Sequence, residues 1–160
     1  MHFSCLADHK EAAERIAQWY FDEWGRKVLG VTKASILEKM QIMTKNRRDF
    51  PMILTIYDES KLVGAVELKF REHKDFPQYE HWLGGVYMRQ DMRGRGYAKA
   101  LLTKAIKHAE SLGIKTLYLQ CEPHNENFYR KLGFRPVHAA KHAGIQTTIF
   151  DYNIDLTTKV

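Results

Sequence analysis

The residues of this chain best placed to do chemistry are Arg93, Gly94, Arg95 and Gly96, followed at once by Tyr97 and Ala98 and a run of helix-forming residues. Two glycines let the backbone approach a ligand with no Cβ in the way. A helix beginning directly after them points its unpaired N–H groups, and the positive end of its dipole, into the turn. Such a turn is an anion site, and a phosphate or pyrophosphate is its natural occupant. Arg93 and Arg95 add formal positive charge to the same place.

Two common phosphate motifs are absent. No GxxxxGK[ST] run occurs, which argues against a P-loop nucleotide hydrolase. A GxGxxG dinucleotide pattern begins at Gly94 and Gly96 but meets Lys99 where its third glycine belongs. What remains is Arg93-x-x-Gly96-x-Ala98 at a strand-to-helix junction. A second pattern follows downstream, Asn125-Glu126-Asn127-Phe128-Tyr129 running to Leu132-Gly133-Phe134. Between the two lie a helix, a glycine stop and a strand. This pair of motifs, in this order, resembles the GNAT N-acetyltransferases. The resemblance is specific from Val86 to Val137 and rests on element order alone before Leu83.

The resemblance implies an α/β, single-domain GNAT-like fold. Its mixed central sheet is antiparallel in its N-terminal part, has a parallel pair splayed at the cofactor site, and is flanked by helices. It implies acetyl-coenzyme A as cosubstrate, no metal, and direct transfer of the acetyl group to a primary amine of a small molecule, peptide or protein. The cofactor would be held by Arg93, Gly94, Arg95, Gly96, Tyr97 and Ala98 at the pyrophosphate. Along the pantetheine arm it would meet the strand at Val86, Tyr87 and Met88, and on the late helix Asn125 and Phe128. Tyr129 takes the position of the general acid. A phenol with a pKa near 10 stays protonated at neutral pH and can supply a proton to a departing thiolate, whose acid has a pKa of about 8.5. The Met88 N–H is by the same analogy the oxyanion donor.

The base is less defined. Relatives place a glutamate near the position of Gly84, where this chain has no carboxylate. Glu67 on the preceding strand is the chosen substitute, with Glu80 and His81 as alternatives, and a solvated strand face competes as the explanation of Glu67. Asn125 is equally readable as a helix cap. Cys121 would need a base such as His124 to act as a nucleophile, and a small buried cysteine is the simpler reading. The missing strand carboxylate keeps a second class open, a non-catalytic coenzyme-A-binding regulatory module.

These residues require a scaffold in the order β-α-α-β-β-β-α-β-α-β-β. Phe3 to Ala7 reads as a first strand. Asp8 reads as the cap of a helix carrying Ala12, Ala13, Ile16, Ala17, Tyr20 and Trp24 at helical spacing. Thr32 or Ser35 opens a second helix, with Ser35-x-x-Glu38 as a capping box. Met52 to Tyr57 and Leu62 to Phe70 form a hairpin, and Trp82 to Met88 the next strand. Ala98, Leu101, Leu102, Ala105, Ile106, Ala109 and Leu112 make an amphipathic stripe stopped by Gly113. Thr116 to Gln120 is a buried strand, expected parallel to Trp82–Met88. Thr147 to Leu156 is a terminal strand. Gly84-Gly85 fits a bulge or a close backbone approach. The Trp24–Val31 loop and the His73–His81 segment are expected to wall the acceptor pocket together with the C-terminal strands.

Composition agrees with one compact enzyme domain spanning 1–160. The chain is 44% apolar and 28% charged, ordinary globular usage. Its net charge of +6 and pI near 9.3 come from basic residues spread along the chain, which argues against nucleic acid and for compensation of coenzyme A phosphates. No apolar run reaches the ~18 residues of a membrane span, and the N-terminus does not read as a signal peptide. Cys5 and Cys121 form no disulfide framework, so the expectation is a cytoplasmic protein, monomer or homodimer. The eight histidines show no metal-ligand spacing; His138 and His142 lack the glutamate of HExxH.

Overall fold

The computed structural model describes residues 1–154. The chain runs β1 (His2–Cys5), α1 (Ala13–Glu23), α2 (Lys33–Met40), β2 (Met52–Asp58), β3 (Lys61–Phe70), β4 (His81–Met88), α3 (Tyr97–Ser111), β5 (Thr116–Cys121), α4 (Glu126–Lys131), β6 (Arg135–His142) and β7 (Ile145–Asn153). Among the described residues the strands form one sheet in the order β1-β2-β3-β4-β5-β7-β6. The hairpin strands β2 and β3 are antiparallel, β3 and β4 likewise, and β4 pairs β5 in parallel. The mixed sheet predicted from sequence is therefore present.

Period-two patterning sends alternate residues of β3 into two different cores. Val63, Val66 and Leu68 are fully buried and pack with Leu101, Leu102, Ala105 and Ala109 of α3. Ala65 and Leu62 pack with Ile16, Ala17 and Tyr20 of α1. Helices thus cover both faces, as a sheet with a βαβ crossover requires.

Four local expectations are corrected. The first strand stops at Cys5, because Leu6–Asp8 and Lys10–Ala12 close into two short 3-10 turns. Asp8 does not cap α1. That helix starts at Ala13 without a side-chain cap, while Asp8 accepts a hydrogen bond from Arg47 Nε at 2.6 Å; a charged partner outcompetes a backbone N–H. The capping box of α2 lies one turn earlier than Ser35-x-x-Glu38. Thr32 is the cap, the Ser35 N–H donates to Thr32 Oγ1 at 3.0 Å, and Thr32 N–H donates to Ser35 Oγ at 2.9 Å. The terminal strand begins at Ile145 and ends at Asn153; positions 155 and 156 of the predicted strand lie outside the described residues.

Candidate active site

The ladder between β4 and β5 contains a single pair, Trp82 with Tyr118. Past it the two strands part. Beyond that point β5 pairs only with β7, through Leu119–Phe150, Gln120–Ile149 and Cys121–Thr148. The edge of β4 from Gly84 to Met88 is therefore left facing a gap at the carboxyl end of a parallel pair, the usual position for a ligand in such sheets.

That edge is shaped by a bulge. Ala65 opposes Tyr87 while Glu67 opposes Gly84, so β4 spends one residue more than β3 over the same span. Gly85 takes a φ of +54°, and a Cβ there would lie 2.7 Å from the Tyr20 hydroxyl and 2.8 Å from Glu67 Oε1. The bulge predicted at the glycine pair is present, and it lets two polar side chains close onto the strand. Past the bulge the strand is regular. The Arg89 N–H donates to Val63 O at 2.8 Å. Successive amides along a strand point to opposite edges, so the Met88 N–H is directed into the gap.

The loop after β4 has the geometry of an anion cradle. Gln90–Met92 turn once, Arg93 is extended, and α3 opens at Tyr97 with no side chain capping it. Gly94 and Gly96 have φ of +78° and +85°, yet a Cβ at either would touch nothing within 4 Å. Glycine is needed here for conformation and not for space. Arg93 is braced to the strand, its Nε donating to Met88 O at 3.0 Å and its guanidinium lying 5.1 Å from the centre of the Tyr87 ring. Arg95 is exposed. Burial, and then the nearby carboxylate of Asp58 in β2, raise the Tyr97 pKa.

On the far side of the gap, a 3-10 turn at Pro123–Asn125 leads into α4. Tyr129 is 8% exposed and packs against Phe128 and Phe134. Burial first, then the neighbouring Cys121 and Glu72, raises its pKa well above that of a free phenol, so it stays protonated throughout the neutral range. Phe128 is exposed at 37%. Asn125 stands at the cap position of α4 with its side chain making no capping bond; the structural cap weighed from sequence is absent, and the side chain is exposed. Cys121 is buried, and burial with Glu126 pushes its thiol up to about 12. It is held as a thiol, which removes it as a nucleophile.

A polar strip crosses the α1 side of the gap. Tyr20 from α1 is fully enclosed, and its hydroxyl has no hydrogen-bond partner; burial and the charge of Glu67 raise its pKa. Glu67 is half-buried and makes no direct hydrogen bond or ion pair. Lys69 Nζ lies 2.7 Å from Glu72 Oε1. Burial pushes the Lys69 ammonium down, but Glu72 and Glu67 together raise it above its ordinary range, so Lys69 stays charged. The Lys69–Glu72 pair fills the place where a side chain at Gly84 would begin, 2.6 Å from Lys69 Cε and 2.9 Å from Glu72 Oε1. Sequence reasoning chose Glu67, which does reach the bulge. Glu72, which joins it at the bulge, stands in no sequence pattern, and Tyr20 reads from sequence only as part of the α1 stripe. Glu80 and His81, the alternatives to Glu67, lie at the start of β4, where His81 packs against Phe50 and Phe70 and Glu80 faces Arg71.

Of the two segments expected to wall an acceptor pocket, Trp24–Val31 packs on α1 and β4 and His73–His81 packs on β5 and β6. Trp24 packs on Tyr20 and meets the Tyr87 ring edge-on at 6.3 Å. The β3–β4 connection is pinned across the sheet by Tyr79, which stacks on Tyr118 at 4.1 Å and meets His138 Nε2 at 2.6 Å. His73 accepts from the Asp75 N–H at Nδ1, so its Nε2 carries the proton that goes to Lys141 O at 2.9 Å. Among the described residues no three His, Cys, Asp or Glu side chains gather as metal ligands, and no helix is long and apolar enough to cross a membrane.

Comparison with known proteins agrees with this architecture. A family profile described as "Acetyltransferase (GNAT) family" matches residues 10–134. An N-acetyltransferase from Staphylococcus aureus Mu50 superposes with a TM-score of 0.76 at 19% identity, over 96% of this chain and 98% of that one. An aminoglycoside 6'-N-acetyltransferase complexed with coenzyme A gives 0.74 at 17% identity, over 96% and 97%. An aminoglycoside 6'-acetyltransferase type Ii gives 0.72 at 19% identity, over 96% and 97%. No curated protein matches the chain significantly in sequence.

Proposed function

Because the chain belongs to the acetyltransferase (GNAT) family, we propose that it moves the acetyl group of acetyl-coenzyme A directly to a primary amine. The observation that carries this reading is the parting of β4 and β5 beyond Trp82 and Tyr118, with a glycine turn opening α3 at one side of the gap and a buried tyrosine, protonated throughout the neutral range, at the other.

The amides of residues 94–98, with Arg93 and Arg95, hold the pyrophosphate. Val86, Tyr87 and Met88 offer backbone amides and carbonyls along the gap to the pantetheine arm, and Phe128 and Asn125 flank it from α4. The Met88 N–H steadies negative charge as it builds on the thioester oxygen. The amine nitrogen bonds to the carbonyl carbon and the carbon–sulfur bond breaks. Tyr129 gives its proton to the departing thiolate, and Glu67 receives the proton shed by the amine, directly or through one water. Tyr129 regains its proton from solvent and Glu67 returns its own, which closes the cycle. The acceptor enters from the side of Trp24–Val31 and the β3–β4 connection, where the aromatic rings and free carboxylate lie. We place the reaction in the cytoplasm, in keeping with two free cysteines.

The test is release of coenzyme A thiol from acetyl-coenzyme A across a panel of primary amines. Amine-dependent release supports the reading. Tight acetyl-coenzyme A binding without release for any amine, including peptide N-termini and lysine side chains, contradicts it.

A further inference from the structure

Among the described residues four buried side-chain atoms lack a hydrogen-bond partner: Tyr20 Oη, Thr55 Oγ1, Glu72 Oε2 and Asp151 Oδ1. Asp151 Oδ1 is satisfied electrostatically by Arg135 Nε at 3.4 Å, and Thr55 lies inside β2. The other two stand against the consecutive glycines of the β4 bulge, Glu72 at Gly84 and Tyr20 at Gly85. A buried polar atom without a partner marks either a cost the fold carries or a place where a ligand completes the bonding.

Resting on the reading that the gap receives an amine, we propose that Glu72 is the residue that binds the acceptor, its free Oε2 taking an N–H of an incoming primary ammonium group. The strand carries no carboxylate at residue 84, and the β3–β4 connection supplies one in the same space, since Glu72 Oε1 lies 2.9 Å from where a side chain at that position would begin. Lys69 engages one oxygen at 2.7 Å and leaves the other, which turns the group into an oriented negative centre with a single vacant acceptor. Glu72 also acts electrostatically on Tyr129, helping to hold the phenol protonated. The two carboxylates of the strip then divide the work. Glu72 captures the cation, Glu67 takes the proton whose loss frees the nitrogen lone pair for attack, and the second proton, shed once the nitrogen is bonded to the acetyl carbon, passes to solvent. The acceptor class is a primary amine recognised as its cation.

The experiment titrates amines into the protein saturated with coenzyme A, a complex that cannot turn over. The probes are 2-phenylethylamine and 1,4-diaminobutane, with 2-phenylethanol as the neutral control. The expected result is amine binding by wild type that weakens at least about tenfold in Glu72→Gln, with coenzyme A affinity within about twofold and any binding of the alcohol unchanged. In steady state Glu72→Gln raises the KM for the acceptor with little change in kcat, and Glu67→Gln lowers kcat with little change in that KM. Glu72→Asp, which keeps the charge and shortens its reach, gives an intermediate loss and serves if the glutamine variant does not fold. Amine affinity within twofold of wild type in either folded variant overturns the proposal, as does a wild-type complex that binds neither amine. Wild type that binds amines through Glu72 but releases no thiol from acetyl-coenzyme A would instead contradict the transfer reading and leave the binding role of Glu72 standing.

Discussion

The guanidinium of Arg93 lies 5.1 Å from the centre of the Tyr87 ring while its Nε donates to Met88 O at 3.0 Å. The first residue of the turn proposed to hold the pyrophosphate is thereby tied to the strand edge along which the pantetheine arm is proposed to run. Arg93 acts as a brace as well as a charge. Arg93→Ala should weaken acetyl-coenzyme A binding about tenfold or more, and Arg93→Lys should recover only part of it. Lysine restores the charge but not the planar guanidinium that stacks on Tyr87 while bonding Met88. Calorimetry on the three proteins decides it; full recovery in Arg93→Lys would reduce Arg93 to a charge.

Gly96 separates conformation from electrostatics. Its φ is +85° and its surroundings are open. Gly96→Asn should fold and retain most cofactor affinity, because asparagine tolerates the left-handed region. Gly96→Asp has nearly the same shape and adds a negative charge at the proposed phosphate seat, and it should abolish binding. Equal affinities for the two variants would remove the pyrophosphate from this turn.

Tyr129→Phe should lower kcat by roughly 10²–10⁴-fold, the usual worth of general acid catalysis, with acetyl-coenzyme A binding nearly unchanged because the ring remains packed. The raised pKa of Tyr129 also means that wild type should show no loss of kcat from ionisation of this phenol up to about pH 10, the value of an unperturbed tyrosine. A turnover number within twofold of wild type in Tyr129→Phe, with chemistry rate-limiting, would assign the proton to water.

Cys121 gives a stability signature. Its thiol is raised from 9.0 to about 12 by burial, so the fold favours the neutral form. The stabilising contribution is complete below the unfolded pKa and is lost as pH climbs from about 9 towards 12. Denaturant midpoints should fall through that window, and Cys121→Ala should flatten the fall even if it lowers the plateau. Identical pH dependence in the two proteins would contradict this assignment. At pH 8 native Cys121 should resist alkylation by iodoacetamide and react once unfolded.

What the sequence disclosed, and what it hid, follows from the range of each interaction. Arg93 to Ala98 form one strand–turn–helix junction whose conformation depends on neighbours within a few positions, so residue type and spacing are enough to predict the turn. The stripe of α3 and the alternation that puts Val66 and Leu68 on one face and Glu67 on the other are equally local. The polar strip is not. Tyr20, Glu67, Glu72 and Gly84 come together only through the packing of α1 on β3 and the register of β3 against β4, which the bulge displaces by one residue. No periodicity encodes that displacement, so Glu72 stood out in no pattern. Asp8 failed as a cap for a similar reason, since its partner Arg47 is 39 residues away.

The most direct measurement is a single turnover. Protein is loaded with acetyl-coenzyme A labelled in the acetyl group, mixed with an excess of a primary amine, and quenched over time. The label should pass from thioester to N-acetyl product in step with the appearance of free thiol, with none on the protein at any time. Label that stays in the thioester whichever amine is added would identify a coenzyme-A-binding module without chemistry, and label that accumulates on the protein before the amine would contradict direct transfer.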